Sequence, residues 1–400
     1  MEAQSNHQGT SPQTRQLGSV PVVGRPGPST GSSAADARVA NLTLVLQTLY
    51  QEPGLTRADL ARRTGLTRVT ISDLVAQLID DGLVCETGIA EQTRPGKKAV
   101  SLAVRDDTTD IIACDLSGSE VLRGGVYSLF GELRREVTRP IDGARGEDAI
   151  AVVVDLIADL VQGRSNRLLG IGVGMPGTVD AAGRVITAIA LGWSNLDLQA
   201  RLAQHFDVPI FVINDANAGA LAEQTFANGT QDMLRLQITR GVGAGLLLGG
   251  QVVIGQSAAA GEIGHVQVED DGIVCQCGQR GCLETWASVT ALRKRIDATP
   301  DQQEAILAEG GRRLGLALVP ILAMLDVGDV VLGGESELIG GTFTNAAQAF
   351  IDERLQPRIT HPVVLRTSTL GGDATLLGVV ALVLRASLGL YSGKGTTTTE

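Results

Sequence analysis

The sequence predicts two folds in series: a winged helix-turn-helix over residues 37–103, then a larger α/β body over residues 104–390. Three observations carry that prediction. Residues 56–79 hold two short helix signatures separated at Gly65. The 400 residues include 50 glycines but only 3% aromatic residues, a composition suited to an α/β body with many strand-to-loop turns. The formal charge of −11 is unevenly held, because the first hundred residues sum to +1 and the remainder to −12. An acidic whole therefore does not argue against a nucleic-acid-binding N-terminus.

Residues 1–36 are rich in Ser, Gly, Pro, Gln and Thr and read as a disordered tail; residues 391–400 read as a second flexible tail. From Ala37 to Tyr50, Leu42, Val45, Leu46 and Leu49 follow helical spacing. Thr56 with Asp59 forms a capping-box pattern that opens a short helix ending at Gly65. Thr67 then caps a second helix, in which Ile71, Leu74, Val75, Leu78 and Ile79 make one buried stripe. Its first turns leave Arg68, Thr70 and Ser72 outward as candidate DNA contacts, since the second helix of such a pair enters the major groove by its N-terminal end. Two strand-like runs around TRPGKK follow as a wing, with Arg94, Lys97 and Lys98 placed to reach phosphates or a minor groove.

In the body, IIACDLSGSEVLRGGVYSLFGEL reads as strand, turn, strand, turn and strand, and LLGIGVGMPGTVD as a strand ending in a Pro-Gly turn. DVPIFVINDANAGALAEQTF is a strand with Asn214 and Asp215 at its tip, followed by a helix. LRLQITRGVGAGLLLGGQVVIG is a glycine-looped hairpin, and DVVLGGESELIG a strand running into a Gly-Gly turn and helix. Polar residues at strand tips beside glycine turns are where an α/β sheet places ligand-contacting groups. No apolar run looks long enough to span a bilayer, and no secretory signal precedes the chain, so a cytoplasmic protein without a membrane partner is expected.

The chain has five cysteines and four histidines, and GEIGHVQVEDDGIVCQCGQRGCLETW contains three of the former and one of the latter. His265, Cys275, Cys277 and Cys282 are a normal ligand list for tetrahedral zinc. The competing reading is a disulfide, but any pair among the three cysteines leaves an odd thiol, and a reducing compartment disfavours it. Four protein ligands close the site, so one zinc per chain is expected to be structural rather than to activate water.

GMPGTVD, NDAN, GEIGH and CQCGQRGCLE, in this order, resemble the ROK family of repressors, uncharacterised reading frames and sugar kinases. The resemblance covers about residues 104–385. It implies an actin-like, two-lobed fold of the ATPase and sugar-kinase type that closes on a sugar. The N-terminal module resembles the family's repressor branch, which includes xylose and N-acetylglucosamine repressors. It also implies that Asp215 occupies the general-base position and Asn214 a neighbouring sugar contact, and that Glu262, His265 and Glu284 hydrogen-bond sugar hydroxyls. Carboxylates and amides suit that task because they donate and accept in fixed directions, leaving a wrong epimer unpaired. His265 would hold zinc through one ring nitrogen and offer the other to the sugar.

The nucleotide side departs from the kinase pattern. Where such kinases have Asp-x-Gly-Gly-Thr, this chain has Asp115-Leu116-Ser117-Gly118-Ser119. Where they have Gly-Thr-Gly-x-Gly, it has Gly241-Val242-Gly243-Ala244-Gly245, with Val242 in place of a hydroxyl and Arg240 just before; Gly333-Gly334 remains near the adenosine position. A lost phosphate-loop hydroxyl costs about 1–3 kcal/mol of ATP binding. The expectation is therefore a non-enzyme: a sugar-responsive repressor of carbohydrate uptake or catabolism genes. It would bind an inverted-repeat operator as a homodimer or homotetramer, with a sugar or sugar phosphate as effector. An active sugar kinase with an accessory DNA module is the alternative, and an effector-independent DNA-binding scaffold a third reading.

Overall fold

The computed structural model describes residues 34–89, 99–355 and 362–391. Helix α1 (Ala34–Gln51) starts three residues before the periodicity predicted and buries Leu42, Val45, Leu46 and Leu49. Helix α2 (Arg57–Thr64) opens on the expected capping box: the Thr56 hydroxyl accepts from the Asp59 amide, and the Asp59 carboxylate from the Thr56 amide. It stops where Gly65 turns left-handed at φ 72°. Helix α3 (Arg68–Asp80) is capped by Thr67 and buries Ile71, Leu74, Val75 and Leu78, while Ile79 is half-buried. Strands β1 (Val84–Ile89) and β2 (Val100–Val104) pair antiparallel as the stem of the wing. The wing tip with Arg94, Lys97 and Lys98 lies outside the described residues.

The body is one topology used twice. A meander of β3 (Thr109–Asp115), β4 (Val121–Tyr127) and β5 (Leu133–Pro140) leads through α4 (Glu147–Val161) to β6 (Arg167–Met175), parallel to β3. A small sheet of β7 (Thr178–Val179), β8 (Val185–Ala188) and β9 (Trp193–Leu196), then α5 (Leu198–Leu202), precede β10 (Ile210–Asn214), which joins β6 in parallel. Helix α6 (Asp215–Phe226) crosses to the second meander of β11 (Met233–Ile238), β12 (Val242–Leu248) and β13 (Gln251–Val252). After α7 (Glu284–Ala287), α8 (Val289–Ala298) and α9 (Gln303–Leu325), β14 (Asp329–Gly334) runs parallel to β11. Helices α10 (Ser336–Ile339) and α11 (Thr342–Arg354) follow, then β15 (Val364–Thr367) and the closing helix α12 (Ala374–Leu388). The sheet orders are β10-β6-β3-β4-β5 and β15-β14-β11-β12-β13, which is the two-lobed actin-like plan.

Helices α6 and α12 are the layer between these sheets. Gly172 and Gly174 of β6 lie against Val379 and Thr375 of α12, and Gly245 of β12 lies against the Ala216 carbonyl of α6. The helices touch where a Cβ at Gly378 would stand 1.8 Å from the Ala218 oxygen. Residues Gly371–Leu388 are, contrary to the reading of the sequence, apolar and long enough to cross a membrane by composition, but 67% of that stretch is buried here. Packing on three neighbours explains its hydropathy.

The helix-turn-helix shares its core with the body. Leu42, Val45, Leu46 and Leu49 belong to one buried cluster with Leu129, Leu388 and Leu390. The Tyr50 hydroxyl donates to the Leu129 carbonyl at 2.7 Å, and its ring stacks on Phe130 at 4.8 Å. The Tyr391 amide, just past α12, donates to Gln47 of α1 at 3.0 Å.

Candidate functional site

A turn built on Gly278 (φ 90°) and Gly281 (φ 67°) folds the cysteine segment back on itself. The donor atoms of His265, Cys275, Cys277 and Cys282 all fall within 4.8 Å of one another. Cys275 Sγ is 3.6 Å from His265 Nδ1, and Cys277 Sγ is 3.7 Å from Cys282 Sγ. Zinc bonds of about 2.3 Å to sulfur in tetrahedral geometry set two thiolates about 3.8 Å apart. The spacing therefore suits a metal and is far too long for a disulfide, and all five cysteines are free. Trp286 anchors the segment to the second lobe. Its indole donates to Glu269 at 2.9 Å and lies under the guanidinium groups of Arg295 and Arg313.

With Nδ1 turned to the cysteines, His265 Nε2 lies 3.8 Å from Glu262, and their side chains are 36% and 48% exposed. Glu284 stands between this group and β12: one carboxylate oxygen accepts from the Val242 amide at 3.1 Å, and the other lies 3.7 Å from Cys275 Sγ. At the first lobe, Asn214 ends β10 and caps α6 by accepting from the Asn217 amide, while its side-chain amide donates to Gly177 and to Asp215. Asn217 is buried, and its Oδ1 has no partner among the described residues. Asp215 accepts from the Ala216 amide. Burial, and next the charge of Asp115, push its carboxyl up to about 7. Strand β12 is the wall common to these two groups. Its Ala244 amide donates to Gly261, beside Glu262, and its Gly243 faces Ala216, beside Asp215.

Both loops expected near a nucleotide are occupied by protein contacts. The amide and hydroxyl of Ser117 donate to Asp115 at 2.9 and 2.6 Å. Burial raises the Asp115 carboxyl above its ordinary range despite those bonds. Val242 is buried in the second lobe's core, so Arg240, and not Val242, is the residue turned toward the first loop. Its guanidinium donates to the Ser117 carbonyl at 2.8 Å, joining the lobes. Gly333 lies against the buried guanidinium of Arg235, 2.3 Å from where a Cβ would stand. The contacts of Arg240 with Ser117 and of Gly333 with Arg235 join residues far apart in the chain, and only the odd position of Arg240 hinted at them.

On the outward face of α3, Arg68 is exposed, but two of the expected DNA contacts have local partners. Thr70 shares its hydroxyl with Thr67 at 2.9 Å, and the Ser72 hydroxyl donates to the Arg68 carbonyl at 2.9 Å. The same face carries Val69, 72% exposed, which the reading of the sequence passed over.

Comparison with known proteins agrees with both halves. The profile of the ROK family matches residues 122–386, and that of the MarR family matches residues 43–91. A xylose repressor of Caldicellulosiruptor bescii is 28% identical over 381 residues, spanning 86% of this chain and 95% of its own length. A glucokinase of Halalkalibacterium halodurans is also 28% identical, over 292 residues, but the match spans 62% of this chain and 88% of the kinase. A crystal structure described as a ROK family transcriptional regulator, homolog of the E. coli MLC protein, superposes with a TM-score of 0.77 at 24% identity, covering 88% of this chain and 98% of its own.

Proposed function

The chain belongs to the ROK family, and from that premise we propose that it is a sugar-responsive DNA-binding transcriptional regulator. On this reading it is a repressor of carbohydrate uptake or catabolism genes and acts in the cytoplasm. One observation carries the proposal: a capped helix-turn-helix shares its core with a kinase-type body whose phosphate-loop donors are spent on protein groups. With Ser117 bonded to Asp115, the Val242 amide to Glu284 and Arg240 across the gap, an incoming triphosphate meets few free donors.

The sugar or sugar phosphate is held by Asn214, Asp215, Glu262, His265 and Glu284, the last also bonded through one oxygen to the Val242 amide. The unpartnered Asn217 oxygen and the half-open Glu262–His265 pair support a hydroxyl-bearing ligand. Zinc, held by His265, Cys275, Cys277 and Cys282, supplies rigidity to that wall, as its closed ligand set dictates. A homodimer, or a tetramer of two such dimers, presents two α3 helices to an inverted repeat.

Coupling between the sites has a continuous route. Helix α6 begins at Asp215 and ends at Phe226, whose ring packs against Gly131. Phe130 next to it stacks on Tyr50 of α1. A ligand that moves α6 therefore moves the base on which the helix-turn-helix stands, provided it binds the two arrangements with different affinity. Operator-bound protein titrated with pentoses, hexoses, N-acetylhexosamines and their phosphates should lose affinity about tenfold with one of these classes. Identical operator affinity with every sugar would remove the effector from the account.

The second reading, a sugar kinase, is favoured by Asp215 and by the similarity to a glucokinase. A carboxyl pushed up to about 7 suits a general base at neutral pH. ATP-dependent phosphorylation of any of those sugars, abolished in Asp215→Asn, would establish it.

A further inference from the structure

We infer that Val69 is the base-reading side chain of α3, seated against the 5-methyl group of a thymine in the major groove. The inference rests on the DNA-binding reading and assigns a determinant of sequence choice within it.

The geometry of α3 singles this residue out. Ile71, Leu74, Val75 and Leu78 are buried and define the inward face. At 100° per residue the opposite face has Val69 at its centre, with Asp73 and Ala76 one and two turns on and Ser72 beside them. All four are exposed, and Val69 is 72% exposed. It belongs to the first turn, capped by Thr67, which is the end of a recognition helix that approaches base edges.

The chemistry of that face excludes a backbone contact. Phosphates are met by donors and positive charge. Val69 and Ala76 have neither, Asp73 is an anion, and the Ser72 hydroxyl is donated to the Arg68 carbonyl. Donors suited to a phosphate, Arg68, Thr70 and Gln77, lie at the edges of that face. A face of this composition meets DNA where acceptors and apolar groups are useful, which is the floor of the major groove. There the thymine methyl is the apolar group a base pair offers. Valine is also fitted to hold such a contact, because its branched side chain keeps one χ1 rotamer in a helix and loses little entropy on docking.

The test removes one methyl from the DNA. Full-length, zinc-loaded protein selects its site from random duplexes. Each symmetric thymine pair in that site is then replaced by deoxyuridine, and affinity is measured by fluorescence anisotropy. At one pair the wild type should lose about fourfold per half-site, the value of one buried methyl group. Val69→Ala, an exposed change to a better helix former, should bind the thymine and uracil sites equally. Its salt dependence should match the wild type, because no phosphate contact is lost. Val69→Thr, which keeps one methyl, should retain part of the discrimination.

A site at which no uracil substitution separates wild type from Val69→Ala overturns the inference. So does a Val69→Ala effect that is equal on all sequences. Selection that enriches no sequence overturns the DNA-binding reading itself, and this inference with it.

Discussion

Asp215, half-buried, begins α6 beside a buried acid, Asp115. The folded protein keeps the Asp215 proton to about pH 7, whereas an unfolded chain releases it near pH 4. The folded state thus binds more protons across that window, and this group's contribution to stability, full below about pH 4, is lost progressively until pH passes about 7. Asp215→Asn, which never ionises, should differ from the wild type in melting temperature by an offset that is constant below about pH 4, shifts in the variant's favour between about pH 4 and 7, and is constant again at about pH 8. A difference that does not grow with pH would show that the carboxyl is not held protonated. His265→Ala should lower both zinc content and sugar binding, the former read by metal analysis and the latter by calorimetry with the sugar panel. Unchanged values for both would refute its shared role. That His265, Cys275, Cys277 and Cys282 come together was legible because residue type and close spacing mark them as a group. The partners of Glu284, Arg240 and Gly333 were not, since each depends on a contact made by folding: Val242, Ser117 and Arg235.

Among the elements, α2 and α3 were legible to the residue in their caps, because Thr56, Asp59, Gly65 and Thr67 act within four residues of their partners. The strands flanking the glycine turns were legible for the same local reason. What no local pattern contains is which strand lies beside which, so the twofold use of one sheet order came only through the ROK resemblance. The same limit hid the role of α12, whose apolar composition fits a core helix or a membrane span equally well. Its packing on α6 depends on Gly378, where an added Cβ would meet the backbone oxygen of Ala218 at 1.8 Å. Backbone cannot rotate aside as a side chain can, so Gly378→Ala should destabilise the body by about 1–3 kcal/mol, measured by urea unfolding. An unchanged urea midpoint would mean that the two helices are not pressed together there.

For the whole molecule, the docking of the helix-turn-helix on the body decides whether two folds behave as one regulator. A module on a free linker would bind DNA whatever the cleft held. Here Tyr50 is bonded to Leu129 and stacked on Phe130, and α12 ends against α1. Phe130→Ala removes the stack without touching either proposed site. Operator and sugar should each still bind with near wild-type affinity, while the sugar's effect on operator affinity shrinks; an effect of undiminished size would show that coupling takes another route. The central claim, that this body serves a DNA-reading module, is tested most directly by capture. Full-length, zinc-loaded protein is mixed with fragmented genomic DNA of its own host, and the retained fragments are sequenced. The account predicts a few sites sharing one inverted repeat, beside genes for carbohydrate uptake or catabolism. Uniform or absent recovery by protein shown to be folded and metal-loaded would contradict it.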